Sequence, residues 1–290
     1  MFLFGTLKRI IRAILRRDDD RAPVSSGPID GPAGPVVVRA AQATKKRRAL
    51  LIGNNYPGSS CPLAGCVNDV TDVRGFLVDV KGWAAGDVDL KTEATKLTIV
   101  QSLSALALAS WTQGLDVVYI HYSGHGTQVR DSNGDEADGL DEAICPADFE
   151  RAGMVTDDFL NGIMCRSFNP RTKVRVVFDA CHSGSCLDLA FTCAGGGTKA
   201  TQDRHAKRAA GDVQLLSGCR DAQTSADAAY GGRPAGALTN SLLRVLRDRP
   251  DATALQVLDG VHAGLSAESA DQFPLLSSSR DPSAAEPFVP

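Results

Sequence analysis

The sequence predicts a three-layer α/β domain in which a largely parallel central sheet is flanked by helices. Short apolar runs suited to strands buried on both faces recur at "RALLIGNN", "LDVVYIHYSG" and "VRVVFDACHSG". Helical patterns lie between them, and strands alternating with helices build parallel sheets. With 290 residues and 43% apolar composition, the chain has material for one substantial core.

The chain opens with "MFLFGTLKRIIRAILRR", where Lys8, Arg9, Arg12, Arg16 and Arg17 alternate with Leu7, Ile10, Ile11, Ile14 and Leu15. That spacing predicts an amphipathic basic helix over residues 1–17, which permits weak contact with a membrane surface. The apolar stretch precedes the basic residues and is short for a secretory signal. The stretch "DDDRAPVSSGPIDGPAGP" is too rich in charge, Pro and Gly to order itself, so residues 1–45 form a basic segment plus flexible linker.

The folded domain, residues 46–290, begins with a strand in "KKRRALLIGNNY". Helical patterns follow at "VNDVTDVRGFLVDV", "LTIVQSLSALALASW" and "TDDFLNGIM", and "DVQLLSGC" supplies another strand. The helices "GALTNSLLRVLRD" and "TALQVLDGVHAGLSAE" and a last strand in "FPLLSSS" close the domain. The Gly-, Ala- and charge-rich "CAGGGTKATQDRHAKRAAG" predicts an exposed flexible loop over about 194–211, dividing a larger part (about 46–193) from a smaller one (about 212–290).

A net charge of −3 with mixed signs gives no reason to expect a nucleic-acid partner. No run reaches the roughly 18 apolar residues that span a bilayer. Eight irregularly spaced cysteines read as free thiols of a reducing, cytoplasmic setting rather than a disulfide framework.

Ligand sites of open α/β sheets form beyond the carboxyl ends of strands. Here "VVYIHYSGHG" delivers His121, Ser123 and His125, and "VRVVFDACHSG" delivers Asp179, Cys181 and His182. If both strands are parallel and close, His125 and Cys181 emerge at one edge, the thiol and base that nucleophilic catalysis requires. Gly124, Gly126 and Gly184 allow sharp turns, and the N–H groups of Gly126 and Cys181 suit an oxyanion hole. An isolated cysteine is more often simply buried, but the paired strand ends favour the catalytic reading. Zinc held by His121, His125, Cys61 and Cys66 is weaker, because the histidines end a strand and no matching Cys pair exists. His182, next along an extended chain, should face away from Cys181.

Six strings, "RALLIGNNYPG", "LAGCVNDV", "HYSGHGTQV", "DEADGLDEAICPADF", "DACHSGS" and "SGCRDAQTSADA", together resemble a metacaspase, a cysteine endopeptidase of the caspase-like clan. The resemblance implies a caspase-like sandwich in which Cys181 is the nucleophile, His125 the base, and the N–H groups of Gly126 and Cys181 the oxyanion hole. It implies a pocket for Arg or Lys formed by Cys66, Asp69, Ser123 and Asp179, and protein or peptide substrates with those residues at the cleavage site. It also implies regulatory calcium at Asp157, Asp158, Asp188 and, less directly, Asp141, with no organic cofactor, and a monomer. The loop after Cys181 displays Lys199, Arg204, Lys207 and Arg208 as candidate self-cleavage points.

"DSNGDEADGLDE" is not an EF-hand, since Glu136 stands where the loop needs glycine; it reads as a solvated acidic loop. Ala180 departs from the Ser or Cys of many relatives without touching the presumed chemistry. The remaining cysteines, Cys61, Cys145, Cys165, Cys186, Cys193 and Cys219, are assigned only packing. The rival reading is a catalytically silent caspase-like scaffold that binds protein partners; its mark would be a missing His or Cys, and both are present.

Overall fold

The computed structural model describes residues 45–131, 134, 139–181, 186–196, 200–203, 206–219, 228–230, 232–268, 272–283 and 285–290. The basic helix and linker expected before residue 45 lie outside the described residues.

The first half of the domain runs through β1 (Arg47–Gly53), α1 (Cys66–Gly75), β2 (Val88–Thr92), α2 (Lys96–Ala109), β3 (Val117–Ser123), β4 (Gly126–Arg130) and β5 (Leu140–Ile144). Then come α3 (Phe149–Ala152), β6 (Val155–Thr156), α4 (Asp157–Met164), β7 (Lys173–Asp179), β8 (Phe191–Ala194) and β9 (Thr201–Gln202). The chain closes with β10 (Asp212–Cys219), β11 (Ala228–Tyr230), β12 (Arg233–Ala235), α5 (Ala237–Asp248), α6 (Ala254–Ala267) and β13 (Phe273–Ser278).

The main sheet is eight-stranded in the order β2-β1-β3-β7-β10-β13-β8-β9. From β2 to β10 the pairing is parallel, whereas β13, β8 and β9 join antiparallel. A strand run that is apolar at every position buries both faces, and β1 shows it. Ala49 and Leu51 pack under α1, α5 and α6, while Leu50 and Ile52 pack with Ile99 and Leu103 of α2 and Leu160 of α4. The result is a three-layer, caspase-like sandwich. On the seam between β7 and β10, Arg175 is only 2% exposed. Its guanidinium grips Asp212 at two points, Nη1 to Oδ1 3.1 Å and Nη2 to Oδ2 3.0 Å, which offsets the cost of burying its charge.

Local chemistry sets the helix starts. Thr95 accepts from the Thr98 N–H at the head of α2, and Thr253 with Gln256 forms a reciprocal capping box at α6.

Two expectations need correction. The end of the acidic stretch is not solvated: Asp141 is a buried residue of β5, because the chain returns there to pair with β4. The segment 194–211 is not wholly loop either. Thr201 and Gln202 pair with Thr192 and Phe191 of β8, which itself pairs with β13, so part of it is the edge of the sheet.

Candidate active site

The strand order reverses around β1, which has β2 on one side and β3 on the other, and such a switch point opens a crevice beyond the strand ends. The parallel register of β3 and β7 sets Ser123 opposite Asp179, so His125 and Cys181 each lie two positions beyond the same rung. The Gly124 N–H donates to the Asp179 carbonyl at 3.2 Å, carrying the contact past the strands. A Cβ on Gly126 would stand 1.9 Å from the Cys181 carbonyl oxygen, so the two turns meet only because residue 126 is glycine. His125 and Cys181 are both half-buried. His182 and Gly184 lie outside the described residues.

The imidazole of His125 stacks on Tyr56, with ring centroids 4.7 Å apart and planes 28° apart. Its Nε2 lies 2.7 Å from the Cys61 carbonyl oxygen. A carbonyl only accepts, so Nε2 carries the hydrogen and the basic lone pair is on Nδ1. The His125 N–H donates to the Tyr56 hydroxyl at 2.8 Å, which donates onward to the Cys145 carbonyl at 2.7 Å. The His125 carbonyl accepts from the Tyr122 hydroxyl at 2.8 Å and from the Cys145 N–H at 3.0 Å. Tyr56 has φ 53°, a left-handed conformation unusual for a bulky residue. The Glu93 carboxylate holds it, accepting from the N–H groups of Asn55 (2.8 Å) and Tyr56 (3.0 Å). Sequence reasoning missed Tyr56, Glu93 and Tyr122, and the assignment of Cys61 and Cys145 to packing alone is incomplete: their carbonyls position the histidine. The available signal was "NNYPG" directly after a buried strand.

Beneath this lies a pair of carboxylates. Asp69 of α1 accepts from the Ser123 hydroxyl at 2.6 Å and from the Gly236 N–H at 2.9 Å. Asp179, at the end of β7, accepts through Oδ2 from the Thr239 N–H at 2.9 Å and the Thr239 hydroxyl at 2.7 Å. Burial, then the charge of Asp179, raises the Asp69 pKa to about 7; burial raises that of Asp179 as well. Cys66 is buried one turn ahead of Asp69 on α1, so the structure brings the expected Asp69, Ser123 and Asp179 together with Cys66 alongside. Gly236 and Thr239, at the start of α5, were not anticipated.

His121 belongs to this layer rather than to a metal. It is fully buried, its Nε2 is 3.1 Å from the Thr239 hydroxyl, and burial lowers its pKa to about 3, which keeps it neutral. Among the described residues no three His, Cys, Asp or Glu side chains are arranged to hold a metal ion.

A second acidic region surrounds the start of α4. Asp157 is 1% exposed; its Oδ1 accepts from the Asp158 N–H at 2.7 Å, while its buried Oδ2 has no hydrogen-bond partner. Burial, reinforced by the carboxylates of Asp188, Asp141 and Glu142, raises its pKa to about 7. Glu142, whose charge is among those that raise the Asp157 pKa, was missed by sequence reasoning. Lys207 sits within this region, with Nζ 2.9 Å from Asp158 Oδ1 and 3.0 Å from Asp188 Oδ2. Of the four candidate self-cleavage points, Lys207 is therefore ion-paired rather than displayed. Arg208 is exposed, and Lys199 and Arg204 lie outside the described residues.

The family profile described as metacaspase, peptidase C14 domain matches residues 47–190. Metacaspase-1 of Scheffersomyces stipitis is 33% identical over 288 residues, covering 81% of this chain and 71% of its own. Metacaspase-1A of Aspergillus fumigatus is 34% identical over 289 residues, covering 82% and 70%. A crystal structure of a Geobacter sulfurreducens protein is similar in fold, with a TM-score of 0.57 and 24% identity over 83% of this chain and 97% of that one. Fold and kinship define a cysteine-type endopeptidase, a hydrolase acting on proteins. The chain belongs to the metacaspase family. Among the described residues no helix is long and apolar enough to cross a membrane.

Proposed function

We propose that this peptidase cleaves after Arg or Lys with a Cys181–His125 dyad. The observation that carries the reading is the shared rung of β3 and β7, which sends both residues off the same edge, with Gly126 against the Cys181 backbone. His125 Nδ1 takes the thiol proton; the thiolate attacks the scissile carbonyl carbon and the π electrons move to oxygen. The N–H groups of Gly126 and Cys181 stabilise that oxyanion. As it collapses the C–N bond breaks, His125 returns the proton to the amine, and a thioester remains. Water, deprotonated by His125, then hydrolyses the thioester and restores the thiol.

Specificity is assigned to Asp69 and Asp179 with Ser123 and Cys66. Two buried carboxylates repel, and the charge of a guanidinium or ammonium brought alongside them relieves that repulsion, whereas an aspartate side chain would add to it. Calcium is the proposed regulator. Asp157, Asp158 and Asp188, with Asp141 and Glu142 nearby, supply hard oxygens of the right kind, although in this structure they are not gathered around one ion position, and an ammonium is already drawn to the region. Bound calcium would supply charge neutralisation and order to the loops following Cys181. Self-cleavage between residues 199 and 208, a monomeric state, a cytoplasmic location and weak membrane contact through residues 1–17 complete the proposal. A peptide-library assay with and without calcium tests it: cleavage after Arg and Lys only, lost in Cys181→Ala, is expected. Equal cleavage after Asp, or full activity in excess chelator, would remove the corresponding part.

A further inference from the structure

The hairpin of β11 and β12 stands apart from the main sheet. Among the described residues its strands pair only with each other, Ala228 opposite Ala235 and Tyr230 opposite Arg233. A lone two-stranded hairpin is marginally stable in water, so it needs an anchor. That anchor is α1. The exposed Arg233 side chain reaches back to the helix, with Nη1 2.8 Å and 2.7 Å from the two carboxylate oxygens of Asp72 and Nη2 3.1 Å from the side-chain oxygen of Asn68. Asn68 in turn donates through Nδ2 to the Pro234 carbonyl at 2.9 Å. Asn68 and Asp72 are four positions apart and so share one face of α1. Asp69 directly follows Asn68, and its Oδ1 accepts from the N–H of Gly236, the residue just past the end of β12. Asn68, Asp69 and Asp72 therefore hold Arg233, Pro234 and Gly236 along one seam, which starts at the surface and ends at the carboxylate pair.

We propose that Arg233 is a positioning residue for the specificity pocket, a clasp that fixes the hairpin on α1 and so keeps the Gly236 N–H on Asp69. The proposal rests on the reading of Asp69 and Asp179 as the site for an Arg or Lys side chain. An exposed ion pair ordinarily contributes little, but a two-point grip by a planar guanidinium, extended to a third oxygen, fixes an orientation as well as a distance. What it orients is functional. The Gly236 N–H on Oδ1 and the Ser123 hydroxyl on Oδ2 together aim the two oxygens of Asp69. The Gly236 bond also favours the charged carboxylate against the burial that opposes it, and the charged form is the one that receives a cation. Without Arg233, the side-chain hold of α1 on β12 falls to the bond between Asn68 and Pro234, and Gly236 can drift from Asp69. His125 and Cys181 are held by other means, the stack on Tyr56 and the shared rung of β3 and β7, so the loss falls on substrate binding rather than on the thiol.

The test is steady-state kinetics of the full chain, with calcium present, on Arg-, Leu- and Asp-ending reporters. The parent is compared with Arg233→Met, Arg233→Lys, Asp72→Ala and the double variant Arg233→Met/Asp72→Ala, and the rate at which iodoacetamide alkylates Cys181 is followed by mass spectrometry in each. Arg233→Met should raise KM for Arg-ending reporters about fivefold, the scale of one well-formed exposed pair, with kcat and the alkylation rate unchanged. Arg233→Lys keeps the charge and loses the fork, so its KM should fall between the two. Asp72→Ala should also raise KM, and the double variant should be no worse than Arg233→Met alone, because both changes break one clasp. An unchanged KM in Arg233→Met, or effects that simply multiply in the double variant, overturns the positioning role and leaves the pocket reading standing. A fall in kcat matched by slower alkylation overturns it too, since that marks a loosened fold rather than a displaced pocket. A parent that cleaves after Arg, Leu and Asp alike overturns the pocket reading and the proposal together.

Discussion

Asp69 and Asp179 converge on one point in the backbone: a Cβ placed on Gly236 would stand 2.2 Å from Asp179 Oδ2 and 2.9 Å from Asp69 Oδ2. The two acids come from α1 and from the end of β7, and α5 begins in the space between them. Only a residue without a side chain lets all three meet.

This convergence makes the carboxylate pair sensitive to pH. Asp69, ordinarily ionised above 3.8, is raised to about 7. For an acid raised on folding, the stability from its protonated form is complete below the unfolded value and lost as pH rises through the folded one. Thermal scans should therefore show the parent losing stability between about pH 4 and pH 7. Asp69→Asn should flatten that slope while keeping the bonds to Ser123 and Gly236. A slope identical in both proteins would show that Asp69 titrates normally.

The same pair predicts a specificity loss. Removing one carboxylate from a buried charge-assisted contact costs about 1.5–3 kcal/mol, so Asp69→Ala should lower kcat/KM for Arg-ending reporters by roughly ten- to hundredfold. Steady-state kinetics on Arg- and Leu-ending reporters would check this, the second serving as the control that should change least.

Cys181→Ala and His125→Ala should each abolish cleavage, because members of a nucleophile–base unit fail together rather than additively. Their melting temperatures should stay within a few degrees of the parent. Turnover by Cys181→Ala at the parental rate would defeat the dyad.

Tyr56→Phe should separate positioning from binding. It removes the hydroxyl that accepts from the His125 N–H, leaving that donor short of a partner at a cost of about 1–3 kcal/mol, while the Cys145 carbonyl keeps the Tyr122 hydroxyl. With the ring stack retained, kcat should fall while KM holds. An unchanged kcat would assign Tyr56 to the core alone.

Gly126→Ala should be far more damaging than its size suggests. Its methyl would fall 1.9 Å from the Cys181 carbonyl, and an ångström of displacement between reacting groups can cost about a hundredfold in rate. Circular dichroism alongside kinetics would distinguish a displaced site from a lost fold.

The strands and the meeting of the His125 and Cys181 turns were legible because buried apolar runs end abruptly in Gly, His and Cys, a local pattern. The expected Asp69, Ser123 and Asp179 likewise meet. What supports them was not legible. Gly236 reaches Asp69 across 167 positions, and the start of an ordinary helix gave no hint of it. Tyr56 depends on a left-handed turn stabilised by Glu93, which local propensity disfavours. Asp141 was misjudged because an acidic composition outweighed the strand pairing that buries it. Lys207 looked like one basic residue among several, since nothing nearby in sequence marks Asp158 and Asp188 as its partners.

The strand order also governs what a cut chain would become. A break after Lys207 or Arg208 leaves β7 and β8 on one polypeptide and β10 and β13 on the other, with the second pair interposed between the first. Neither piece could depart without tearing two ladders and the Arg175–Asp212 clasp. Denaturing gels would therefore show two bands where native gels show one. Hydrolysis would turn a single polymer into an interlocked heterodimer whose lifetime is the unfolding time of the sheet, so the nick is irreversible as chemistry yet silent as shape.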